Sequence, residues 1–265
     1  MPKSSSSPLP DRLIGTSLKM YMGHRQTVDW AVEVSALTHG HPTLTSGTVG
    51  LAVLPQFPSI PACLDVAGHL LVGAQNLAAD DDGARTGEVS GSVLAEIGCR
   101  YVEVGHAERR QHFHETDDIV RAKTAAALRH GLIPILCVGE ANAGSPESAD
   151  AEVVAQIRSA LSPTAGDLPT SAAVVIAYEP IWAIGALQPA APDHIIAVCE
   201  AVRARTRAHF PSLDFRLIYG GSAGPGLLTA LGSAVDGLFL GRFAHEPDSV
   251  PRILDELADV IMLKS

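Results

Sequence analysis

The sequence predicts a single-domain α/β protein built as a (β/α)8 barrel, and three observations carry that expectation. Short apolar segments alternate with amphipathic stretches along the whole of the 265 residues. The apolar segments are near-continuous runs rich in Val, Ile and Leu, the pattern of parallel strands covered on both faces; a half-exposed strand would alternate. Most of the segments end on a polar or glycine-containing group: Lys19, Gln75-Asn76, His106, Gly139-Glu140, Glu179, Gly220-Gly221-Ser222 and Gly241. In a barrel those ends form one mouth, so groups spread over the chain converge in space.

Strands are expected at "RLIGTSLK" (12–19), "TVGLAVLP" (48–55), "LLVGAQN" (70–76), "RYVEVGH" (100–106), "LIPILCVGE" (132–140), "AAVVIAYEP" (172–180), "FRLIYGGS" (215–222) and "VDGLFLGR" (235–242). Helical patterns fall at 25–39, 58–67, 90–97, 116–130, 147–161, 193–209, 224–232 and 248–262. Eight βα units in about 250 residues match the usual barrel. An open doubly wound sheet is the alternative, but no G-x-G-x-x-G follows the first strand. No Pro/Gly/Ser-rich linker splits the chain, and "ANAGSPESAD" (141–150) reads as a βα loop. The barrel domain is therefore taken as residues 12–265, after a disordered tail over residues 1–11, "MPKSSSSPLPD", which lacks the apolar core of a signal peptide.

Apolar residues make up 46% and charged residues 18%, so the chain can bury a large core. A net charge of −10 argues against nucleic acid as a partner, because binding a phosphate backbone needs a basic face. It leaves room for a small anion held by local geometry. Cys63, Cys99, Cys137 and Cys199 are far apart and form no metal-like spacing, which reads as reduced thiols in a cytoplasmic protein. No apolar run reaches 18 residues, so no membrane span is expected.

Three strand-end groups carry candidate chemistry. Lys19 is one of only four lysines and follows an apolar strand; it reads either as a fixed cation at the mouth or as a surface lysine. His106, in "VEVGHAERR", precedes a helix start that would favour its neutral form, although a lone strand-end histidine is often structural. Glu179 is followed by "PIWAIGA", a greasy run between a proline and a glycine where a surface loop should be polar. A carboxylate beneath such a flap suits a general base, since closure excludes water and raises its basicity. Its plainer reading is a cap for the next helix. Small residues in "YGGS" (219–222) and "LGR" (240–242) would expose backbone N–H groups to a phosphate. Assembled, these groups suggest proton transfer next to a carbonyl on a small phosphorylated sugar.

From about residue 12 to 262 the chain resembles triosephosphate isomerase, whose fold is the TIM barrel. "SLKMY" is similar to the family's N-W-K-M-N, "VGHAERR" to G-H-S-E-R-R and "CVGE" to C-I-G-E. "AYEPIWAIG" is nearly the family signature, "YGGS" matches, and "GAQN" with "GARTGEVS" resembles the dimer-loop region. The resemblance implies that Glu179 removes a proton beside the carbonyl, that neutral His106 shuttles protons between the two oxygens of an enediol(ate), and that Lys19 supplies positive charge, with Glu108 as an acid near it. Gly185, Ser222, Gly241 and Arg242 would line the phosphate site, together with the Gly221 turn and Ser17. Ile184 and Phe239 would clamp over Glu179, and Tyr219 would hold the flap. Gln75 lies in the dimer loop, and Thr86 sits where that loop enters the partner's site, which implies a homodimer. The resemblance implies no metal or organic cofactor.

Departures concentrate at the site. The family's asparagine two residues before the lysine is Ser17, the serine after the histidine is Ala107, the second glycine of the late phosphate loop is Arg242, and the flap ends in "GALQPA", which alters the hinge at Leu187-Gln188-Pro189. The Ser17 and Ala107 changes reduce bulk or polarity near the reacting end, which points to a larger substrate. Adding a hydroxymethyl group to the reacting carbon of dihydroxyacetone phosphate gives erythrulose phosphate, so the chain resembles the tetrulose-phosphate (L-erythrulose-1-phosphate) isomerase branch, involved in erythritol breakdown. Ordinary triosephosphate isomerisation in glycolysis is the alternative, and a non-catalytic phosphate-binding barrel is a remoter one. Glu103, within "RYVEVGH", has no role in this reading.

Overall fold

The computed structural model describes residues 9–162, 172–186 and 189–262. Its strands are β1 (Arg12–Ser17), β2 (Val49–Leu54), β3 (Leu71–Ala74), β4 (Tyr101–Val104), β5 (Ile133–Val138), β6 (Ala173–Tyr178), β7 (Asp214–Tyr219) and β8 (Gly237–Leu240). Each pairs in parallel with the next, and β8 pairs with β1 to close the barrel. The helices are α1 (His24–Thr38), α2 (Pro42–Thr45), α3 (Ile60–Val66), α4 (Gly91–Glu96), α5 (Ala107–Phe113), α6 (Asp117–Arg129), α7 (Pro146–Leu161), α8 (Pro192–His209), α9 (Leu227–Leu231) and α10 (Ser249–Met262). No described helix is long and apolar enough to cross a membrane.

The strands end one to three residues earlier than the apolar runs suggest. The extra residues, among them Lys19, Gln75, His106 and Glu179, form the loops at the mouth. Two helices start late for local reasons. Pro58 lies in a 3-10 turn over Phe57–Ser59 before α3, and Gly224-Pro225-Gly226 delays α9 to Leu227. Four short elements, α2 and the 3-10 turns over Phe57–Ser59, Ile181–Ala183 and Arg242–His245, are too brief to show a hydrophobic period.

The period of two along each strand sorts the core into two regions. Leu13, Leu54, Tyr101, Ile135, Val175, Ala177, Ile218 and Phe239 cluster together in the barrel interior. Their chain neighbours Ile14, Val53, Val102, Leu136, Val174, Ile176 and Leu217 join a second cluster with helix residues such as Val198 and Leu254. The same alternation reaches the mouth. Leu13, Gly15 and Ser17 share one face of β1, Tyr101 and Glu103 one face of β4, and Val175, Ala177 and Glu179 one line along β6. Ser17, Glu103 and Glu179 are all buried there.

The expected tail needs a correction at its end. Residues 1–8 lie outside the described residues, but Leu9 is 4% exposed and packs into the interior cluster. Arg216 holds it in place, with Nε donating to the Pro10 carbonyl at 2.7 Å and Nη2 to the Leu9 carbonyl at 3.2 Å. An apolar side chain three residues before β1 closes the bottom of the barrel. The Ser/Pro-rich composition in front of it hides that role.

One buried ionic group ties the mouth to the helices. Lys123 of α6 donates to Asn76 Oδ1 and to Glu115 Oε1, both at 2.6 Å, and Arg109 of α5 also reaches Glu115. Those bonds hold the Glu115 carboxyl below its ordinary range although burial pushes it up. Replacing Lys123 by Met leaves Asn76 unpaired and Glu115 with Arg109 alone. The expected cost is about 3 kcal/mol, a Tm lower by roughly 6–12 °C at this chain length. Thermal unfolding followed by circular dichroism checks this, and an unchanged Tm would refute it.

Candidate active site

Glu179 is built into the mouth by backbone. Its N–H donates to the Val138 carbonyl at 2.8 Å, and the next strand is fixed alongside by Gly220 N–H donating to the Tyr178 carbonyl at 2.9 Å. Two glycines leave room for it: a Cβ at Gly139 would overlap the Glu179 carbonyl, and one at Gly220 would overlap its carboxylate. The side chain is 4% exposed, and Oε2 has no hydrogen-bond partner among the described residues. Burial first, and the nearby charges of Glu103 and Glu108 in addition, outweigh the pull of Lys19 and push its pKa up to about 8. Glu179 caps no helix, since the 3-10 turn after it has no side-chain cap.

His106 follows Gly105, whose φ of +76° turns the chain out of β4 and into α5. It is the N-cap of α5: its Nδ1 accepts the Glu108 N–H at 3.2 Å. An accepting Nδ1 leaves the ring proton on Nε2. Burial, with the charges of Lys19 and Arg109 added, lowers the His106 pKa to about 3, so the ring stays neutral.

Lys19 stands in the left-handed region at φ +49°, an uncommon conformation for a side-chain-bearing residue that tends to occur at functional sites. Gln75 supports it by donating to the Lys19 carbonyl at 3.0 Å and to the Leu54 carbonyl at 2.9 Å. Lys19 Nζ lies 2.9 Å from His106 Nε2 and 3.2 Å from Glu108 Oε2. Burial disfavours its charge, but Glu103, Glu108 and Glu179 together hold its pKa above the ordinary lysine value. With the proton on Nε2, the 2.9 Å contact sets two donors side by side with no hydrogen bond between them, an arrangement that a carbonyl or enediolate oxygen accepting from both would satisfy. Glu179 Oε2 lies 3.5 Å from the same Nε2.

These groups open onto a cavity of about 370 Å³. Ser17, Lys19, His106, Glu108 and Glu179 line one part, and Ile184, Gly185, Ser222, Phe239, Gly241 and Arg242 line the rest. Most of the expected site residues are thus brought together. Arg242 is exposed where it lines the cavity. Tyr219 and Gly221 stand behind the wall: Tyr219 is fully buried and its hydroxyl accepts the Ala190 N–H at 3.2 Å, past the flap. Ser222 Oγ lies 2.9 Å from the Ala183 carbonyl and 3.0 Å from that of Ala186, and donates across them. Leu187 and Gln188 of the altered hinge lie outside the described residues. Thr86 is exposed and lines none of the cavities described here. Gly220 of the expected "YGGS" turn also lines the cavity, as do Ala223, Gly224 and Phe243, which no sequence signal marked beyond their nearness to the glycine turns.

A second cavity, about 290 Å³, shares Ser17, Lys19, His106 and Glu108 with the first and adds Met20, Phe57, Gln75, Asn76, Glu103 and Phe113. Glu103 is 3% exposed. Its Oε2 accepts the Ser17 hydroxyl at 2.8 Å, and its Oε1 lies 3.8 Å from His106 Nε2.

The family model described as triosephosphate isomerase matches residues 12–257. The chain belongs to the triosephosphate isomerase family. Relatives within or beside the family carry two names. An L-erythrulose-1-phosphate isomerase of Pectobacterium atrosepticum is 48% identical over 245 residues, 92% of this chain and 94% of its own length. Another of that name, from Mesorhizobium japonicum, is 37% identical over 94% of this chain and 98% of its own. A triosephosphate isomerase of Streptomyces avermitilis is 39% identical over 77% of this chain and 82% of its own.

The electrostatics of His106 give a direct test. Because its pKa is lowered, the neutral ring prevails at every pH above about 3. A pH series of 15N spectra of the imidazole should show the Nε2–H tautomer unchanged from roughly pH 5 to 9, where an unperturbed histidine would titrate near 6.5. A His106 titration between pH 5.5 and 7 would contradict this geometry.

Proposed function

We propose that this chain is a sugar-phosphate isomerase that moves a carbonyl to the adjacent carbon through an enediol(ate), with L-erythrulose 1-phosphate and D-erythrulose 4-phosphate as the interconverted pair. The observation that carries the isomerase chemistry is the convergence on His106 Nε2 of Lys19 Nζ at 2.9 Å and Glu179 Oε2 at 3.5 Å. Glu179, as carboxylate, takes the proton from the hydroxyl-bearing carbon beside the carbonyl. Electrons flow into the carbonyl oxygen, whose growing charge meets Nε2–H and the Lys19 ammonium. Proton exchange between the two oxygens through His106 then lets the second oxygen become the carbonyl, and Glu179 delivers its proton to the former carbonyl carbon. The raised pKa of Glu179 makes it a stronger base than a solvated carboxylate. Gly185, Ser222, Gly241 and Arg242 hold the phosphate, and Ile184 with Phe239 packs above the base.

The four-carbon substrate is favoured by the name of the Pectobacterium relative, 48% identical over 92% of this chain, and by Ser17, where the resemblance leads one to expect an asparagine. In the triose reading the same three central groups would act on dihydroxyacetone phosphate, as the name of the Streptomyces relative suggests. Isomerisation followed by NMR in heavy water, on erythrulose 1-phosphate and dihydroxyacetone phosphate in parallel, separates the two. The expected result is a clear preference for the tetrulose phosphate, and a preference for the triose overturns it. Glu179→Gln should lower turnover by about 10²–10⁴ while ligand binding persists; unchanged turnover would rule out Glu179 as the base.

We also propose a homodimer acting in the cytoplasm. The second cavity is flanked by Met20, 84% exposed, and Phe113, 63% exposed, an apolar surround for a charged group. A partner loop carrying Thr86 would cover it and exclude water from Lys19. The four described cysteines are free and buried, as suits a reducing compartment. Sedimentation velocity should show a dimer, and Phe113→Asp should shift it towards monomer with loss of turnover. A wild-type monomer with full activity would contradict the interface.

A further inference from the structure

Glu103 is a buried acid that the proposed proton transfer does not use. Burying a carboxylate is costly unless it is paired. Another buried acid, Glu115, has Lys123 at 2.6 Å and also Arg109. Among the described residues Glu103 has instead a single neutral donor within hydrogen-bond reach, the Ser17 hydroxyl at 2.8 Å, and it sits in the same field as Glu179. Burial pushes its carboxyl up, with Lys19 and Ser17 pulling the other way. The Ser17 bond fixes one oxygen. The other, Oε1, is left 3.8 Å from Nε2, too long for a hydrogen bond but close enough for one substrate hydroxyl beside them to contact both.

The placement is directional. Gly185, Ser222, Gly241 and Arg242 line the first cavity alone, Ser17 and His106 line both cavities, and Glu103 lines the second. A sugar phosphate running from the phosphate end past Glu179 and Nε2 brings its next carbon to Ser17 and Glu103. A triose phosphate has no carbon there. A tetrulose phosphate has a hydroxymethyl group.

We propose that Glu103, oriented by Ser17, is the specificity-determining acceptor for the terminal hydroxymethyl group of a four-carbon sugar phosphate. This rests on the substrate reading above. Ser17 is then more than a smaller residue that makes space: its hydroxyl holds the carboxyl in the rotamer that presents Oε1. Glu103 also raises the basicity of Glu179, but that effect acts on any substrate and cancels in a ratio of two.

The test is kcat/KM on erythrulose 1-phosphate and on dihydroxyacetone phosphate for the full-length wild type, Glu103→Gln and Glu103→Leu, with the Kd for inorganic phosphate measured for each. In the wild type the four-carbon substrate is preferred. In Glu103→Leu the tetrulose-to-triose ratio should fall on the order of 100-fold, the scale of a hydrogen bond to a charged group. In Glu103→Gln, which keeps one acceptor oxygen, it should fall roughly tenfold, with phosphate Kd retained in both. A ratio within threefold of wild type, with both substrates falling in parallel, overturns the assignment and leaves Glu103 as a tuner of Glu179. A wild type that prefers the triose overturns the substrate reading itself, and that is seen before any variant is made. Should Glu103→Leu lose phosphate binding through misfolding, the ratio in Glu103→Gln decides by the same criterion.

Discussion

The mouth of the barrel depends on one cation among three carboxylates. Lys19 Nζ lies 3.2 Å from Glu108 Oε2 and shares the field of buried Glu103 and Glu179. Burial alone would drive an ammonium towards neutrality. The acids reverse that and keep Lys19 charged, while their mutual repulsion and burial leave Glu179 reluctant to ionise. Each group thereby acquires what the proposed chemistry asks of it: a permanent positive charge, a strong base, and a neutral imidazole between them. The charge of Lys19 and the basicity of Glu179 depend on the acids around them as well as on burial, while burial first keeps His106 neutral, so these properties belong to the buried cluster.

The barrel makes such a cluster possible without strain in the strands themselves. A residue's parity along a parallel strand decides whether it faces the interior or the helices. β1 delivers Ser17, β4 delivers Glu103 and β6 delivers Glu179 on the interior parity, and the closing β8 adds Phe239. At the mouth the uncommon backbone sits in the loops: positive φ at Lys19 and Ser222, and glycines at 139 and 220 that let backbone and carboxylate approach closely. The scaffold is regular up to the last turn of each strand, and the irregular geometry begins where the ligand would be met.

Much of this was legible beforehand because burial on both faces leaves an unmistakable apolar run, and polar residues at the ends of those runs stand out. Lys19, His106 and Glu179 could be singled out on that ground. Glu103 could not be given a role, since an acid inside an apolar run carries no sign of which face it occupies until the register of β4 against β5 is known. Leu9 was hidden by the composition in front of it. The N-cap use of His106 Nδ1 could be suspected from the helix start but not oriented, because it depends on the turn made by Gly105. Residues such as Ala223 and Phe243 have no chemical signature, and only the closed barrel shows that they line the cavity.

The run "PIWAIGA" after Glu179 has a physical explanation in how its two ends are held. At the near end Trp182 is 37% exposed, yet its indole N–H donates to Glu140 Oε1 at 2.8 Å, the same oxygen that accepts the Tyr178 hydroxyl at 3.2 Å. At the far end the Tyr219 hydroxyl accepts the Ala190 N–H, and Ser222 bonds to carbonyls between. The anchors come from side chains at the ends of β5, β6 and β7, the rigid part of the molecule. The flap itself contributes Ile184 to the cavity and few polar side chains. An apolar segment held by polar anchors can lie over Glu179 without supplying a competing hydrogen bond to its carboxylate. That suits the unpartnered Oε2: a base that must take a proton from carbon is best left without a better donor nearby.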